Sequence, residues 1–425
     1  MAGILRQIFG KYFSLFSKSK FVLLINITDK LYSFLILLLI AREFSSDRYG
    51  EVITLFTLAM IMQIVFDLGL PAYLQREIAS GFSSESEIFS LSFSFTLLLF
   101  PVFLGLSYLF KIILYPQIDI ALFFIIFIFI YEASIINVCN KALSGKNDFK
   151  SQFTSLLISR LYIVLMFLIG LYYTGINLNQ LMLVVLSGFF LNMILISRAI
   201  GKNGIHFLFR SFSFSKLKPM VFAAIPLGLA VIFNFMYDKI DVLLISKLKD
   251  FNQVAYYNIG YGLYKSSSIG FSFLLVTGYT MVSSLSKDKN AVKEFFKDYA
   301  RIIIIICILI SILLFIFSGF IVNFLYTNRY ADAVIVVKIL AAGFIGMGLN
   351  NLTGITLNGM GFFKVVMYIT LYGLILNVIL NFLFIPVYGI IAASIITVAT
   401  EYFIFFMQFY YLRKILIPER SEGPH

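Results

Sequence analysis

Between Arg301 and Arg329 the chain runs from Ile302 to Asn328 without a charged side chain, one of several stretches longer than the roughly 20 apolar residues that cross a hydrocarbon core of about 30 Å. Such a segment belongs either in a bilayer or at the centre of a large soluble core. Composition decides between them, because 60% of the 425 residues are hydrophobic and only 13% are charged. Soluble domains carry roughly 25% charged residues, and the mean hydropathy of +0.96 points the same way. A water-facing surface cannot be made from this chain. The sequence predicts an all-α integral membrane protein with no soluble domain of its own.

Breaking the chain at its charged, Gly-, Asn- and Pro-marked loops gives twelve apolar helices. Six fall near 15–41, 49–72, 88–111, 118–142, 150–174 and 178–200, and six more near 219–246, 254–284, 299–325, 331–357, 362–386 and 388–412. The basic start, Met1 to Lys20, is followed by Asn26, Asp29 and Lys30 with no small-residue cleavage site, so it is not read as a cleaved signal peptide. Cys139 and Cys307 lie inside apolar runs and read as small hydrophobes rather than ligands or a disulfide.

The net charge of +12 would suggest nucleic acid in a soluble protein. Here the basic residues sit mainly in short loops, and the side that retains them is cytoplasmic. Twenty-two Lys and Arg fall on the N-terminal side of the membrane, among them Lys18, Lys20, Lys141, Lys146, Lys216, Lys293 and Arg413. The opposite side holds six: Arg42, Arg48, Lys111, Lys247, Lys249 and Arg329. Both termini are therefore expected in the cytoplasm, and no nucleic-acid partner is expected.

The two halves echo each other. Asp29-Lys30 in the first span returns as Asp238-Lys239 in the seventh, and both pairs lead into Phe-x4-Tyr loops, Phe44 to Tyr49 and Phe251 to Tyr256. Leu161-Tyr162 likewise meets Leu371-Tyr372. The pattern predicts two six-helix lobes in the same orientation, related by a pseudo-two-fold axis along the membrane normal, with a central cavity between them. The expected boundaries are 1–205 for the first lobe, 206–218 for an amphipathic cytoplasmic linker, 219–413 for the second lobe and 414–425 for a cytoplasmic tail.

An ionisable side chain at mid-bilayer costs roughly 2.5 to 3.5 kcal/mol, so those that persist face water or a partner. The basic candidates are Lys30, Arg160, Lys239, Lys265 and Lys338. Asn26 and Lys30 share a helix face with Ser33, and Asn258, Tyr261, Lys265, Ser268 and Ser272 form a longer stripe at spacings of three and four. The seventh span adds Asn234, Asp238 and Asp241. Against these readings stand plainer ones: the Asp-Lys pairs can serve as links to neighbouring helices, Arg160 can snorkel to the interface, and Lys338 stands among small packing residues. The acidic candidates are Asp29, Asp67, Glu132, Asp238, Asp241 and Glu401, with Gln63 and Asp67, and Thr397 and Glu401, each one turn apart. Fixed cations in a low-dielectric chamber suit a phosphate headgroup, and carboxylates there can take up and release a proton or Na+. The substrate these residues suit is a lipid phosphate moved by alternating access.

Specific motifs sharpen this reading. Ile225-Pro226 followed by Asp238-Lys239-Ile240-Asp241, the loop Phe251-x4-Tyr256-Tyr257, and Asn377-x3-Asn381-x3-Ile385-Pro386-x2-Gly389 together resemble the Wzx-type polysaccharide (O-antigen) flippases. These belong to the multidrug/oligosaccharidyl-lipid/polysaccharide exporter superfamily, so a MATE-like fold is implied. Ala41-Arg42-x5-Arg48-Tyr49-Gly50 is similar to that family's first loop, with Glu43-Phe44 where Leu is usual. The resemblance spans essentially the whole chain. It implies transport of undecaprenyl-diphosphate-linked oligosaccharide from the cytoplasmic to the periplasmic leaflet of a bacterial inner membrane, in lipopolysaccharide biosynthesis, alongside a polymerase and a chain-length regulator. It implies no cofactor.

Two rivals remain. A multidrug or cation antiporter of the same fold would favour acidic over basic cavity residues. A membrane polymerase or glycosyltransferase would need a large outer loop carrying acid and base groups. No outer loop exceeds about a dozen residues, and His206 and His425 offer no catalytic arrangement. No P-loop is present, so direct ATP hydrolysis is not expected.

Overall fold

The computed structural model describes residues 2–81, 84–208 and 213–416, with side chains from Lys20 onward except those of residues 174, 227 and 273. Of the residues counted above, the side chains of Arg6, Lys11 and Lys18, linker residue Arg210 and the tail from 417 lie outside this description.

Helices dominate because each apolar run must satisfy its own backbone where no water is available. Their ends are set by short polar caps. Asp119 accepts from Ala121 N at 3.1 Å to open α5 (Ile120–Gly145). Asp148 does the same from Ser151 N at 3.1 Å for α6 (Phe149–Ile169), which a π turn, Gly170–Thr174, continues. Asn177 and Gln180 form a reciprocal capping box at α7 (Leu178–Lys202).

The chain forms two compact units. The first comprises residues 1–43 and 58–232, and the second residues 44–57 and 233–425. The first contains α1 (Ala2–Glu43), α2 (Ser46–Asp67) from Leu58 on, the short amphipathic α3 (Leu70–Ser80), α4 (Glu85–Leu114), α5, α6 and α7. Its core joins Leu70, Leu74 and Ile78 of α3 to Val138, Cys139 and Leu143 of α5 and Ile196 of α7. Leu217, Met220 and Ala224, at the start of α8 (Phe214–Leu248), are buried in the same cluster. The beginning of the seventh span therefore packs with the first unit. Cys139 and Cys307 are free and buried.

The second unit takes the rest of α8, then α9 (Phe251–Ser267), α10 (Ile269–Leu285), α11 (Lys289–Tyr326), α12 (Ala333–Ala342), α13 (Phe344–Gly359) and α14 (Phe363–Leu416). Three spans read as single helices from sequence are bent: the seventh by 48° between Pro226 and Gly228, the eighth by 48° between Ser272 and Leu274, and the tenth by 51° at Gly343. At Gly389 α14 is interrupted by φ 57 and ψ −136, a conformation reserved for glycine.

Among the described residues eight helices are long and apolar enough to cross a membrane, and up to eleven segments qualify if each bent pair counts once. Among these, α14 counts once although its 54 residues would extend about 80 Å as one rod. The twelve spans expected from sequence require it to cross twice, parted at Gly389. The described residues hold no strand, and the chain is a multi-pass membrane protein.

Candidate functional site

In the first unit Asp29 does not pair with its neighbour Lys30. It receives Nε and Nη2 of Arg160 at 3.3 and 3.1 Å. Arg160 is 8% exposed, with its guanidinium 4.4 Å from the ring centroids of both Tyr32 and Phe189. The snorkelling alternative for Arg160 is thus replaced by a buried, aromatic-clamped ion pair. Its Nη1, with Glu132 Oε2 and Asn192 Oδ1, has no hydrogen-bond partner among the described residues. Lys30 is exposed, and no ion pair to it forms among the described residues. Asn26 turns back to Val22 O at 2.8 Å rather than joining a cluster. Asp67 holds Gln63 Nε2 at 2.6 Å, the pair expected one turn apart, and also receives Ser134 Oγ.

The second unit brings more of the candidates together. Lys265 Nζ lies 2.6 Å from Asp238 Oδ1, and Lys239 Nζ lies 3.4 Å from Asp238 Oδ2. Tyr261 donates its hydroxyl to Asp238 Oδ1 at 2.6 Å, and both ammonium groups sit 5.5 Å from its ring centroid. One carboxylate thus serves two cations and a phenol. The side chains of Lys265 and Asp238 are 35% and 23% exposed, so the group is open on one side.

One turn along α8, Asp241 is 3% exposed and has a different environment. Tyr257 and Thr397 donate to its Oδ2 at 2.7 and 3.0 Å, and Asn381 Nδ2 donates to Oδ1 at 2.8 Å. Asn381 also donates to Asn377 Oδ1 at 3.0 Å. Among the described residues no Lys or Arg pairs with Asp241. Glu401, 2% exposed, takes Asn350 Nδ2 at 2.7 Å. Thr397, expected to share a face with Glu401, turns its hydroxyl to Asp241 instead.

Three candidates stand apart. Asn258 donates to Tyr49 OH at 3.0 Å and so leaves the stripe it was expected to share with Lys265. Lys338 lies over the Phe315 ring at 5.5 Å, and Asn234 is exposed. Sequence reasoning missed Tyr257, Asn350, Ser134, Tyr32 and Phe189 as partners. It noted Asn377 and Asn381 only as a motif, although two Asn one turn apart in an apolar helix were signal enough.

Polar loops carry the other charges. Asp148 accepts Asn203 Nδ2 at 2.7 Å as well as its cap. Burial would raise its pKa, but the bonds from Ser151 and Asn203 and the nearby Lys150 hold the carboxyl below its ordinary value.

Ion pairs and neutral-donor carboxylates are thus set into the apolar, bent helices of a multi-pass membrane protein. The chain belongs to the polysaccharide biosynthesis protein family, which it matches over residues 16–279. Residues 226–383 also match the MatE family. An uncharacterized membrane protein of Methanocaldococcus jannaschii is 24% identical over 95% of this chain and 99% of its own. Among solved structures, the lipid II flippase MurJ in an inward closed conformation has a TM-score of 0.75 at 15% identity, over 92% of this chain and 87% of that one. An inward-facing MATE-family multidrug transporter of the MOP superfamily has a TM-score of 0.71 at 13% identity, over 92% and 94% of the two chains. At these identities the structures establish the shared fold.

Proposed function

We propose that the protein is a flippase carrying a polyprenyl-diphosphate-linked oligosaccharide, undecaprenyl-linked in a bacterial host, from the cytoplasmic to the outer leaflet, and that it acts as a transporter rather than an enzyme. The observation that carries this reading is the Asp238, Lys239, Lys265 and Tyr261 group, in a chain that belongs to a polysaccharide biosynthesis family. One carboxylate pairs with two cations at membrane depth, where an unpaired ammonium is costly. A diphosphate brings more negative charge than one carboxylate, so it can draw Lys265 away from Asp238 and return it on release. Lys30, in the first unit, is a further exposed cation. Tyr261 offers an aromatic face and a hydroxyl beside the same group.

Asp241 is suited to the coupling ion, Na+ or a proton. A buried carboxylate ringed only by neutral donors favours a bound cation. The excess of Lys and Arg on one side supports both termini in the cytoplasm and residence in the cytoplasmic membrane. A polymerase and a chain-length regulator of the same pathway are the expected partners.

The test reconstitutes purified protein in liposomes with a lipid-linked oligosaccharide and follows protection of the sugar from an external glycosidase. Wild type should speed exchange between leaflets, whereas Lys265→Ala and Lys30→Ala at equal abundance should not. Exchange no faster than in empty liposomes removes the reading. The MatE match and Asp241, with which no Lys or Arg pairs among the described residues, favour one alternative, an organic-cation antiporter, which the same liposomes loaded with a fluorescent organic cation would reveal.

A further inference from the structure

The transport step above leaves unused the exposed face of α11, where one row of side chains changes from cationic to apolar along a single helix. At every fourth residue, Lys289, Lys293, Lys297 and Arg301 are followed by Ile305, Leu309, Leu313 and Phe317, and all eight are exposed. Residues four apart line up as a ridge on a helix surface. The opposite face carries Val292, Phe295, Tyr299, Ile303 and Cys307, all buried, where α11 packs against α10, α12 and α13 of the same unit.

The charged end of the ridge is not spent within the protein. Among the described residues Lys289, Lys293 and Lys297 form no ion pair, and Arg301 reaches Asp298 at 3.7 Å while staying exposed. From Lys287 to Arg301 five cations stand against three acids, Asp288, Glu294 and Asp298. Asp288 is taken up as the N-cap, accepting from Asn290 N and Ala291 N at 3.0 and 3.1 Å. Cations in the first turns of a helix face its positive pole, an unfavourable placement that a bound anion offsets.

The apolar end has the reach of a lipid chain. Arg301 to Leu313 is about 18 Å along the axis, close to one leaflet of a hydrocarbon core of about 30 Å. Leu313 and Phe317 line an open groove of about 410 Å³, with Phe320 beside them and Ser267 at its edge. A phosphate headgroup at Lys297 and Arg301 thus has room for its chain along Ile305 and Leu309, ending in the groove.

We propose that this ridge is a binding site for an anionic phospholipid of the leaflet at that end of α11, the leaflet that the basic loops mark as cytoplasmic. Clusters of Lys and Arg beside a membrane span attract anionic lipid. A cationic row that runs on into exposed apolar residues favours a headgroup that brings its own chain over free phosphate. The inference needs a membrane-spanning chain but no transported substrate.

The experiment places the purified full-length protein in detergent micelles with nitroxide-labelled phosphatidylglycerol or phosphatidylcholine and reads the immobilised lipid by electron paramagnetic resonance. Wild type should hold phosphatidylglycerol in preference. Lys297→Ala with Arg301→Ala should weaken that binding about fivefold for each cation removed and leave phosphatidylcholine unchanged, whereas Lys297→Arg with Arg301→Lys should retain it. Leu309→Ala with Leu313→Ala should weaken it as well, which a charged surface alone does not predict. No preference in wild type, unchanged binding in either alanine pair, or displacement by inorganic phosphate would each overturn the proposal. So would displacement by a much smaller amount of short-chain polyprenyl diphosphate, which makes the ridge a substrate track. A failed flipping assay leaves this result standing, and a failed lipid assay leaves the Lys265 group untouched.

Discussion

Lys265 Nζ sits 2.6 Å from Asp238 Oδ1, so the best-placed cation of the second unit is already neutralised before any substrate arrives. Tyr261 donates to the same oxygen, and Lys239 takes the other one. An arrangement of this kind stores a cation for exchange. An incoming diphosphate gains it only by displacing a carboxylate, and loses it when the carboxylate returns.

Arg160 tests the counterpart in the first unit. Its guanidinium is nearly buried between Tyr32 and Phe189, while Asp29 is half-exposed. Arg160→Ala should cost about 2 kcal/mol, less than the 3–5 of a fully buried pair because solvent screens Asp29. Lowered thermal stability of the purified variant would show it. Arg160→Lys should recover only part, since an ammonium cannot stack flat on both rings.

Asp241→Asn keeps the hydrogen bonds from Tyr257 and Thr397 within reach but removes the charge. Transport by this variant should no longer respond to an imposed Na+ or proton gradient, while slow downhill exchange of substrate persists. Gradient-driven accumulation in liposomes is the measurement.

At Gly389 any side chain meets two obstacles. The backbone is at φ 57 and ψ −136, and a methyl would lie 2.4 Å from Gln253 Oε1. Gly389→Ala should cost about 1–3 kcal/mol from strain alone, and membrane abundance should fall. Gly175→Ala, at φ 59 with nothing within 4 Å, should be milder.

Asp148 gives a pH signature outside the membrane. Its carboxyl is held below its ordinary value in the folded protein, so its contribution is fully present above the unfolded value of about 4 and is lost as pH falls through the folded one. Asp148→Ala should destabilise by about 1 kcal/mol near neutral pH through loss of the cap. Thermal midpoints of variant and wild type should converge as pH drops below about 4.

Sequence made the helices legible because length and apolar composition alone fix them. The bends at Gly343 and after Ser272 were not legible, since glycine and serine are ordinary in membrane helices and only neighbouring helices decide whether they break. The same limit governs the charges. Asp29-Lys30 and Asp238-Lys239 read as equivalent pairs, yet Asp29 reaches Arg160 on α6 whereas Asp238 reaches Lys265 on α9. Periodicity places a residue on a face but does not name the helix opposite. Asn258 shows this well: its spacing matched Lys265, and its partner is Tyr49. The Phe-x4-Tyr echo did have a structural counterpart, because Tyr49 and Tyr256 each set a ring edge-on to Tyr330 at 6.1 Å.

The exchange of Lys265 between Asp238 and a diphosphate is tested most directly by the affinity of the purified protein for a short-chain polyprenyl diphosphate. Lys265→Ala should weaken binding about tenfold, the ratio that follows from losing about 1.4 kcal/mol. Asp238→Asn, which frees the ammonium, should tighten it. Equal weakening by both substitutions, or no effect of Lys265→Ala, would contradict the account.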